Sequence, residues 1–425
     1  MYRIGFSIER VSGEIVAPPS KSFMQRLVAG ALLADGESLI MNPSLSDDGL
    51  SSLRIAEAMG ADVSEHPDGV VIKGGSGFRT GRIECGESGL AIRLFSAIAA
   101  LREEEVTITG SGTLTDRPMD MVENALRAFG AEVNSNKGYL PVVIRGPLTG
   151  GVATVDGSMS SQQISGLLFA LPVLPVKSIL RVDSPSSRPY IDITLDILKE
   201  FGVEVVNNNY VEFVIEGGQR FKPVVSSVEG DWSGAAFFLV MGAVGGSVTV
   251  RGLNPESVQG DRAILDALRE AGAEVVWESN DAVRVARRDL VPFKFDISGT
   301  PDLAPPLILL ASACRGKSVL YGTGRLKIKE SDRGSNLRDN FGLFNVEIET
   351  FDDHIEITGG TAYRDFTGVV SSFSDHRMAM AMAGASLLTT TPVIVDNIAC
   401  IDKSYPAFTK HFKMAGGTVF SGDGS

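Results

Sequence analysis

MGADV (59–63), FGAEV (129–133), FGVEV (201–205), AGAEV (271–275), FGLFNVEIE (341–349) and AGGTV (415–419) decide the fold of this chain. In each stretch a helix-like run closes on a glycine that opens a short strand-like run, and the six glycines are Gly60, Gly130, Gly202, Gly272, Gly342 and Gly416. They recur about every 70 residues, which is the mark of one supersecondary unit repeated along the chain. Each glycine is expected to take the left-handed position just past a helix end, where a Cβ would clash.

Working outward from the glycines, every unit has the same parts. A polar loop opens a helix that is apolar almost all round, as in AIRLFSAIAAL (91–101), GAAFFLVMGAV (234–244) and RMAMAMAGASLL (377–388), so these helices are expected to be buried on every side. A short strand follows, VTITG (106–110), SVTVRG (247–252) or TPVIVDN (391–397), then a second polar loop and an amphipathic helix. Val122, Ala125, Leu126 and Phe129 fall at i, i+3, i+4 and i+7 of that helix, as do Ile264, Ala267, Leu268 and Ala271. Six such units exceed what one hydrophobic core supports, so two domains of three units each are expected. The boundary is placed near KPVVSSVEGD (222–231), which has no Gly/Ser or charged run and reads as a short, stiff connection.

Composition excludes several classes. A net charge of −13 argues against nucleic acid or an anionic membrane as the main partner. Cys85, Cys314 and Cys400 are scattered, as are His66, His354, His376 and His411, so neither a disulfide framework nor a metal site is expected. MYRIGFSIERVSG lacks the apolar core of a signal peptide, and no apolar run reaches the roughly 20 residues that span a bilayer. A cytoplasmic protein is therefore expected.

Set unit against unit, the first loops carry Lys21-Ser22, Glu87-Ser88-Gly89, Ser160-Ser161-Gln162, Asp231-Trp232-Ser233, Asp302 and Asp375-His376-Arg377. Each stands at the N-terminus of a buried helix, where free N–H groups and the helix dipole suit phosphate or carboxylate. The second loops carry Asp47-Asp48, Asp116-Arg117, Ser187-Arg188, Asp261-Arg262, Lys329-Glu330-Ser331-Asp332-Arg333 and Lys403. Plainer readings exist for single residues. Ser160 and Asp302 are ordinary N-cap types, and Asp116, Asp261 and Asp332 precede arginines with which they would form surface ion pairs. Arg26 and Arg93, a turn into apolar helices, must be paired or functional. Recurrence at equivalent positions favours a shared anion site.

PPSKSFMQR (18–26), GESGLAIR (86–93), TLTDRPM (113–119), GSMSSQ (157–162), SSRPYIDITL (186–195), EGDWS (229–233), DISGTPD (296–302), KIKESDR (327–333), SDHRMAMA (374–381) and DKSYP (402–406) together resemble the 5-enolpyruvylshikimate-3-phosphate synthase family. The resemblance runs the length of the chain in motif order. It implies an α/β (α+β) two-domain enolpyruvyl-transferase fold with six βαβαββ-type units, three per domain around buried helices. One domain would be 18–228 and the other 1–17 plus 229–425, with the active site in the cleft between them. The implied reaction joins phosphoenolpyruvate to the 5-hydroxyl of shikimate 3-phosphate and releases phosphate, without metal or organic cofactor, in a monomer.

The same resemblance implies roles by residue. Ser160, Ser161, Ser187 and Lys329 would hold the shikimate phosphate, while Lys21, Ser22, Arg26, Gln162 and Tyr190 place the ring and its hydroxyls. Gly89, Arg117, Arg333, Arg377 and Lys403, with Lys21 and Gln162, would surround phosphoenolpyruvate. Asp302 would be the base on the 5-hydroxyl, Glu330 the acid at the methylene carbon, and Lys21 and Lys403 would neutralise the leaving phosphate. Without ligand, the resulting basic faces are expected to repel one another.

Four departures stand out. The family commonly has an asparagine where this chain has Glu87, a threonine at Leu90 and asparagines at Gln25 and Arg325. The Glu87 change sets a carboxylate beside the expected phosphoenolpyruvate pocket. A rival enzyme of the same fold, UDP-N-acetylglucosamine 1-carboxyvinyltransferase, often carries a cysteine in the loop equivalent to GSGTLTDRP (110–118), and this loop has none. A non-catalytic anion binder on the same scaffold would have no use for both Asp302 and Glu330.

Overall fold

The computed structural model describes residues 2–75, 79–360 and 362–422. It divides into two compact units: a terminal unit, Met1–Pro18 with Glu229–Ser425, and a central unit, Pro19–Val228. Each holds three repeats of strand, buried helix, strand, amphipathic helix and two strands, giving six four-stranded sheets among the described residues. In the second repeat of the central unit, for example, strand Arg82–Glu84 pairs parallel with Val106–Thr109, which pairs antiparallel with Tyr139–Arg145, which pairs antiparallel with Glu132–Asn136. The other five sheets have the same order.

The repeats close through strands borrowed from distant sequence. Val225–Ser227 completes the first sheet of the central unit by pairing parallel with Glu37–Met41, so the segment read as a connection is itself a strand. Ile4–Ser7 lies between Val393–Val395 and Thr418–Ser421, and Glu14–Val16 pairs parallel with Ser247–Arg251. The N-terminal arm thus belongs to two sheets of the terminal unit.

Glycine placement follows expectation in five repeats and departs from it in one. Gly60, Gly130, Gly202, Gly272 and Gly416 all have positive φ. At each, the glycine N–H reaches back to one carbonyl and the next residue to an earlier one, as when Gly130 N donates to Arg127 O at 3.0 Å and Ala131 N to Leu126 O at 3.2 Å. In the fifth repeat the helix Arg333–Gly342 includes the glycine, and Asn345, at φ 66°, takes the left-handed position. Asn345 N donates to Gly342 O at 3.1 Å and Val346 N to Phe341 O at 3.2 Å, the same pair of bonds three residues later. The true counterpart of Phe129-Gly130-Ala131-Glu132-Val133 is therefore Phe344-Asn345-Val346-Glu347-Ile348. Asparagine tolerates the left-handed region better than other side chains, so the glycine was dispensable there.

The buried helices form each unit's centre. Gly89–Ala99 packs on both Lys21–Leu33 and Gln162–Ala170 in the central unit, whereas Trp232–Gly245, Ala304–Ala313 and His376–Ala385 all pack pairwise in the terminal unit. Close approach requires glycine at two contacts: a Cβ on Gly166 would sit 2.6 Å from Arg93 O, and one on Gly384 2.5 Å from Leu309 Cδ2. Among the described residues no helix is long and apolar enough to cross a membrane.

Candidate active site

The helix starts explain where polar groups enter these apolar centres. Ser88, Asp231 and Asp375 cap their helices, accepting from Ala91 N at 3.2 Å, Gly234 N at 2.8 Å and Arg377 N at 2.9 Å. Asp302 does not cap: it sits in the short turn Pro301–Leu303, and its carboxylate faces arginines instead. Ser160 accepts from Gln162 N at 3.2 Å, while Ser161 and Ser187 precede their helices without a side-chain cap bond.

In the central unit the predicted residues gather at neighbouring helix starts. Lys21 Nζ meets Asp48 Oδ2 at 2.8 Å, with the Asp48 side chain 5% exposed. Arg26 is fully buried and donates to Thr194 Oγ1 at 2.8 Å, Ser22 O at 2.8 Å, Tyr190 O at 3.2 Å and Ser165 Oγ at 3.4 Å. Every one of those acceptors is neutral, and burial lowers the guanidinium to about 10, against the opposing pull of Tyr190, so it stays charged near neutrality. Arg26 fixes the main chain of Ser22 and Tyr190. Arg93 Nη1 bridges Gly89 O at 3.0 Å and Gln162 Oε1 at 2.9 Å, joining two helix starts. Gly89 leaves room for two guanidiniums: a Cβ there would lie 2.5 Å from Arg117 Nη1 and 2.9 Å from Arg93 Nη1. Ser186 Oγ donates to Gly157 O at 2.6 Å, holding the Ser187 loop to the segment that leads to Ser160 and Ser161.

The terminal unit collects Asp302, Lys329, Glu330, Arg333 and Arg377 in one network. Arg333, 0% exposed, donates to Asp302 Oδ1 at 2.7 Å, Glu330 Oε2 at 2.7 Å and Asp375 Oδ2 at 2.8 Å. Arg377 reaches Asp302 Oδ2 at 3.0 Å, and Lys329 stands 3.6 Å from Asp302 Oδ1. Burial alone would push the Asp302 carboxyl up, but Arg377, Lys329 and Arg333 hold it well below the usual carboxylate range. Burial likewise opposes charge on Arg333, and Asp375, Glu330 and Asp302 overcome it, holding the guanidinium well above its usual value. For Lys329 burial outweighs the pull of Asp302 and lowers the ammonium. Lys403 is buried on the turn Ile398–Lys403, which packs on the helix His376–Ala385.

Two expectations need correction. The terminal set was expected to form a basic face. Its Lys329, Arg333 and Arg377 are instead balanced by Asp302, Glu330 and Asp375, because unpaired charge at such burial is too costly. Asp261, weighed as half of a surface ion pair, is buried; it accepts from Ser233 Oγ, and its Oδ1 has no partner among the described residues. Burial and the nearby Asp302 push it up to about 7 against the pull of Arg377. Asp48, Arg93 and Asp375 were visible as recurrent loop or helix-start residues, yet only contact distances identify them as partners of the site residues. Arg325 donates to Ser298 O and ties its turn to the segment leading to Asp302. Among the described residues no group of three or more His, Cys, Asp or Glu is placed to hold a metal ion.

The profile of the EPSP synthase (3-phosphoshikimate 1-carboxyvinyltransferase) family matches residues 7–412. A 3-phosphoshikimate 1-carboxyvinyltransferase of Clostridium kluyveri is 35% identical over 422 residues, spanning 99% of this chain and 98% of its own. One from Methanocorpusculum labreanum is 35% identical over 418 residues, 96% of this chain and 97% of its own. The solved EPSP synthase of Acinetobacter baumannii superposes with a TM-score of 0.83 at 24% identity, covering 99% of this chain and 100% of that one. The enolpyruvyl transferase NikO of Streptomyces tendae gives 0.80 at 16% identity, with 99% of each chain covered. Likenesses at such low identity concern the fold.

Proposed function

The chain belongs to the EPSP synthase (3-phosphoshikimate 1-carboxyvinyltransferase) family, and on that premise we propose how its two clusters share the family's reaction. That reaction transfers the enolpyruvyl group of phosphoenolpyruvate to the 5-hydroxyl of shikimate 3-phosphate and releases phosphate, a step of the shikimate pathway. UDP-N-acetylglucosamine as acceptor is not favoured.

The single observation that carries the assignment is Asp302 held between Arg333, Arg377 and Lys329 with Glu330 on the same guanidinium. A plain anion-binding site has no need of two carboxylates among its cations. Asp302 is ionised at neutral pH, as a base must be, but three cations make it a weak one. Phosphoenolpyruvate is itself a polyanion. As its carboxylate and phosphate take over Arg333 and Arg377, Asp302 loses partners and gains basicity where the 5-hydroxyl must be deprotonated.

The steps follow. Asp302 takes the 5-hydroxyl proton as the oxygen attacks C2 of phosphoenolpyruvate, and Glu330 gives a proton to C3, which becomes a methyl group. The tetrahedral ketal phosphate then returns a methyl proton to Glu330 as the C2–O bond to phosphate breaks. Lys21 and Lys403 stabilise the departing charge. Ser160, Ser161, Ser187 and Lys329 hold the 3-phosphate of the acceptor, and Lys21, Ser22, Arg26, Gln162, Tyr190 and Asp302 align its ring. Gly89, Arg117, Gln162, Arg333, Arg377, Lys403 and Lys21 receive phosphoenolpyruvate. No metal or organic cofactor enters these steps, and the protein acts as a cytoplasmic monomer.

Incubation with both substrates, reading phosphate release and the enolpyruvyl ether by mass spectrometry, tests this. Product that requires both substrates is expected. Binding of both without turnover would leave an anion binder, and product only with UDP-N-acetylglucosamine would move the acceptor.

A further inference from the structure

Glu87 stands where two structural tasks meet. Its neighbour Ser88 caps the buried helix Gly89–Ala99, and Gly89 gives space to the Arg117 and Arg93 guanidiniums. Residues 85–87 also run alongside the loop that carries Arg117. Cys85 N donates to Thr109 O at 2.9 Å and Ser111 N to Gly86 O at 2.8 Å. The Glu87 carboxylate completes this pairing with its side chain: Oε2 accepts from Thr113 Oγ1 at 3.2 Å and from Thr113 N at 3.4 Å.

The turn so gripped leads directly to Arg117. Gly112–Asp116 is a 3₁₀ turn in which Leu114 is fully buried and Arg117 N donates to Leu114 O at 3.2 Å. Gly112 has φ +54°, a conformation that favours glycine, and a Cβ there would lie 2.1 Å from Glu87 Oε1, so the carboxylate lies directly against the turn. One side chain therefore links a helix N-terminus to the turn whose next residue is Arg117.

We propose that Glu87 is a positioning residue for phosphoenolpyruvate: its grip on Thr113 fixes the Gly112–Asp116 turn and so sets Arg117 against Gly89. The inference rests on the reading of Arg117 as a phosphoenolpyruvate ligand. Its logic is geometric, since a guanidinium displaced by about an ångström loses much of its value to a bound anion. The carboxylate of Glu87 need not touch the ligand.

The test is steady-state kinetics with both substrates for Glu87→Ala, Glu87→Gln, Thr113→Val, the Glu87→Ala/Thr113→Val pair and Arg117→Ala, alongside amide exchange of residues 111–117. Arg117→Ala raises KM for phosphoenolpyruvate about 100-fold on this reading. Glu87→Ala and Thr113→Val each raise it about tenfold, with kcat and KM for shikimate 3-phosphate within about twofold, and the double variant adds little to either. Glu87→Gln, whose amide oxygen accepts from the same donors, recovers most of the loss. Exchange at 111–117 quickens in Glu87→Ala and Thr113→Val and not in Glu87→Gln. An Arg117→Ala enzyme with unaltered KM would remove Arg117 from the site and the inference with it. If Arg117→Ala weakens phosphoenolpyruvate while Glu87→Ala leaves both KM and exchange unchanged, the inference alone is overturned. Equal effects of Glu87→Ala on both substrates would also overturn it, by showing a merely structural role.

Discussion

The central and terminal units are built from the same repeat, yet they bury their cations by different means. In the central unit Arg26 rests on hydroxyls and carbonyls alone. In the terminal unit Arg333 rests on three carboxylates. Neutral acceptors leave a guanidinium's charge uncompensated and available to an anion, whereas carboxylates cancel it until a ligand replaces them. On the proposed mechanism the contrast puts proton transfer in the terminal unit, where Asp302 and Glu330 sit on the cations that a ligand would take over.

The largest effect expected from this contrast is on turnover. Asp302→Asn and Glu330→Gln, which keep shape and remove the ionisable group, should each lower kcat by roughly 10²–10⁴-fold, with ligand affinity little changed in Glu330→Gln. Equilibrium binding measured beside kcat checks the split. Either variant turning over like wild type would remove that residue from the chemistry and blur the division between units.

Next in size are changes in stability, and they can be read one unit at a time. Both tryptophans, Trp232 and Trp277, lie in the terminal unit, their rings 6.1 Å apart, so tryptophan fluorescence follows that unit while circular dichroism follows both. Asp375→Ala removes a helix cap and the fully buried partner of Arg333, and should cost about 3–5 kcal/mol in the fluorescence transition. Arg26→Ala, which removes a fully buried side chain and its bonds to Thr194 and two main-chain carbonyls, should cost about 2–4 kcal/mol in a dichroism transition that fluorescence does not follow. Equal shifts of both signals in both variants would show the units unfolding as one.

Much of this was legible in the sequence, and the reason lies in recurrence. The glycine period exposed the units, and aligning them set Asp302, Lys329, Arg333 and Arg377 apart from the other charged residues. What stayed hidden depends on distances that spacing does not encode. Asp375 appeared as one residue of a first loop, and nothing in SDHRM says that its carboxylate reaches Arg333, 42 positions earlier. The strands borrowed from 4–7, 14–16 and 225–227 were equally invisible, because three or four residues carry too little periodicity to announce a sheet partner.

A pH effect sharpens the contrast further. Burial, with Asp302 nearby, raises the Asp261 carboxyl to about 7. A carboxyl raised in the folded state binds more protons there than in the unfolded chain, so its contribution is fully present below its unfolded value near 4. It is lost as pH rises toward 7. Wild type should therefore lose on the order of 1–4 kcal/mol relative to Asp261→Asn between pH 5 and pH 8, in the tryptophan-reported transition. Arg26, at about 10, titrates outside this window. A slope that instead followed the central unit would place the sensitive group elsewhere.

The smallest effect tests the repeat itself, at two glycines that look alike in sequence. Gly272 ends its helix at φ +84°, and a Cβ there meets Asp289 O at 3.1 Å. Gly342 lies within its helix, with nothing within 4 Å of a built Cβ, because Asn345 turns the chain three residues later. Alanine at 272 must hold a left-handed conformation, which costs about 1–2 kcal/mol. At 342 the same substitution removes unfolded-state freedom and improves helix propensity, adding about 0.4–1 kcal/mol. Opposite signs in urea denaturation are expected from the same change at two glycines of the same period. Destabilisation at both would mean that Gly342 ends its helix after all, and the register of the fifth repeat would have to move back by three residues.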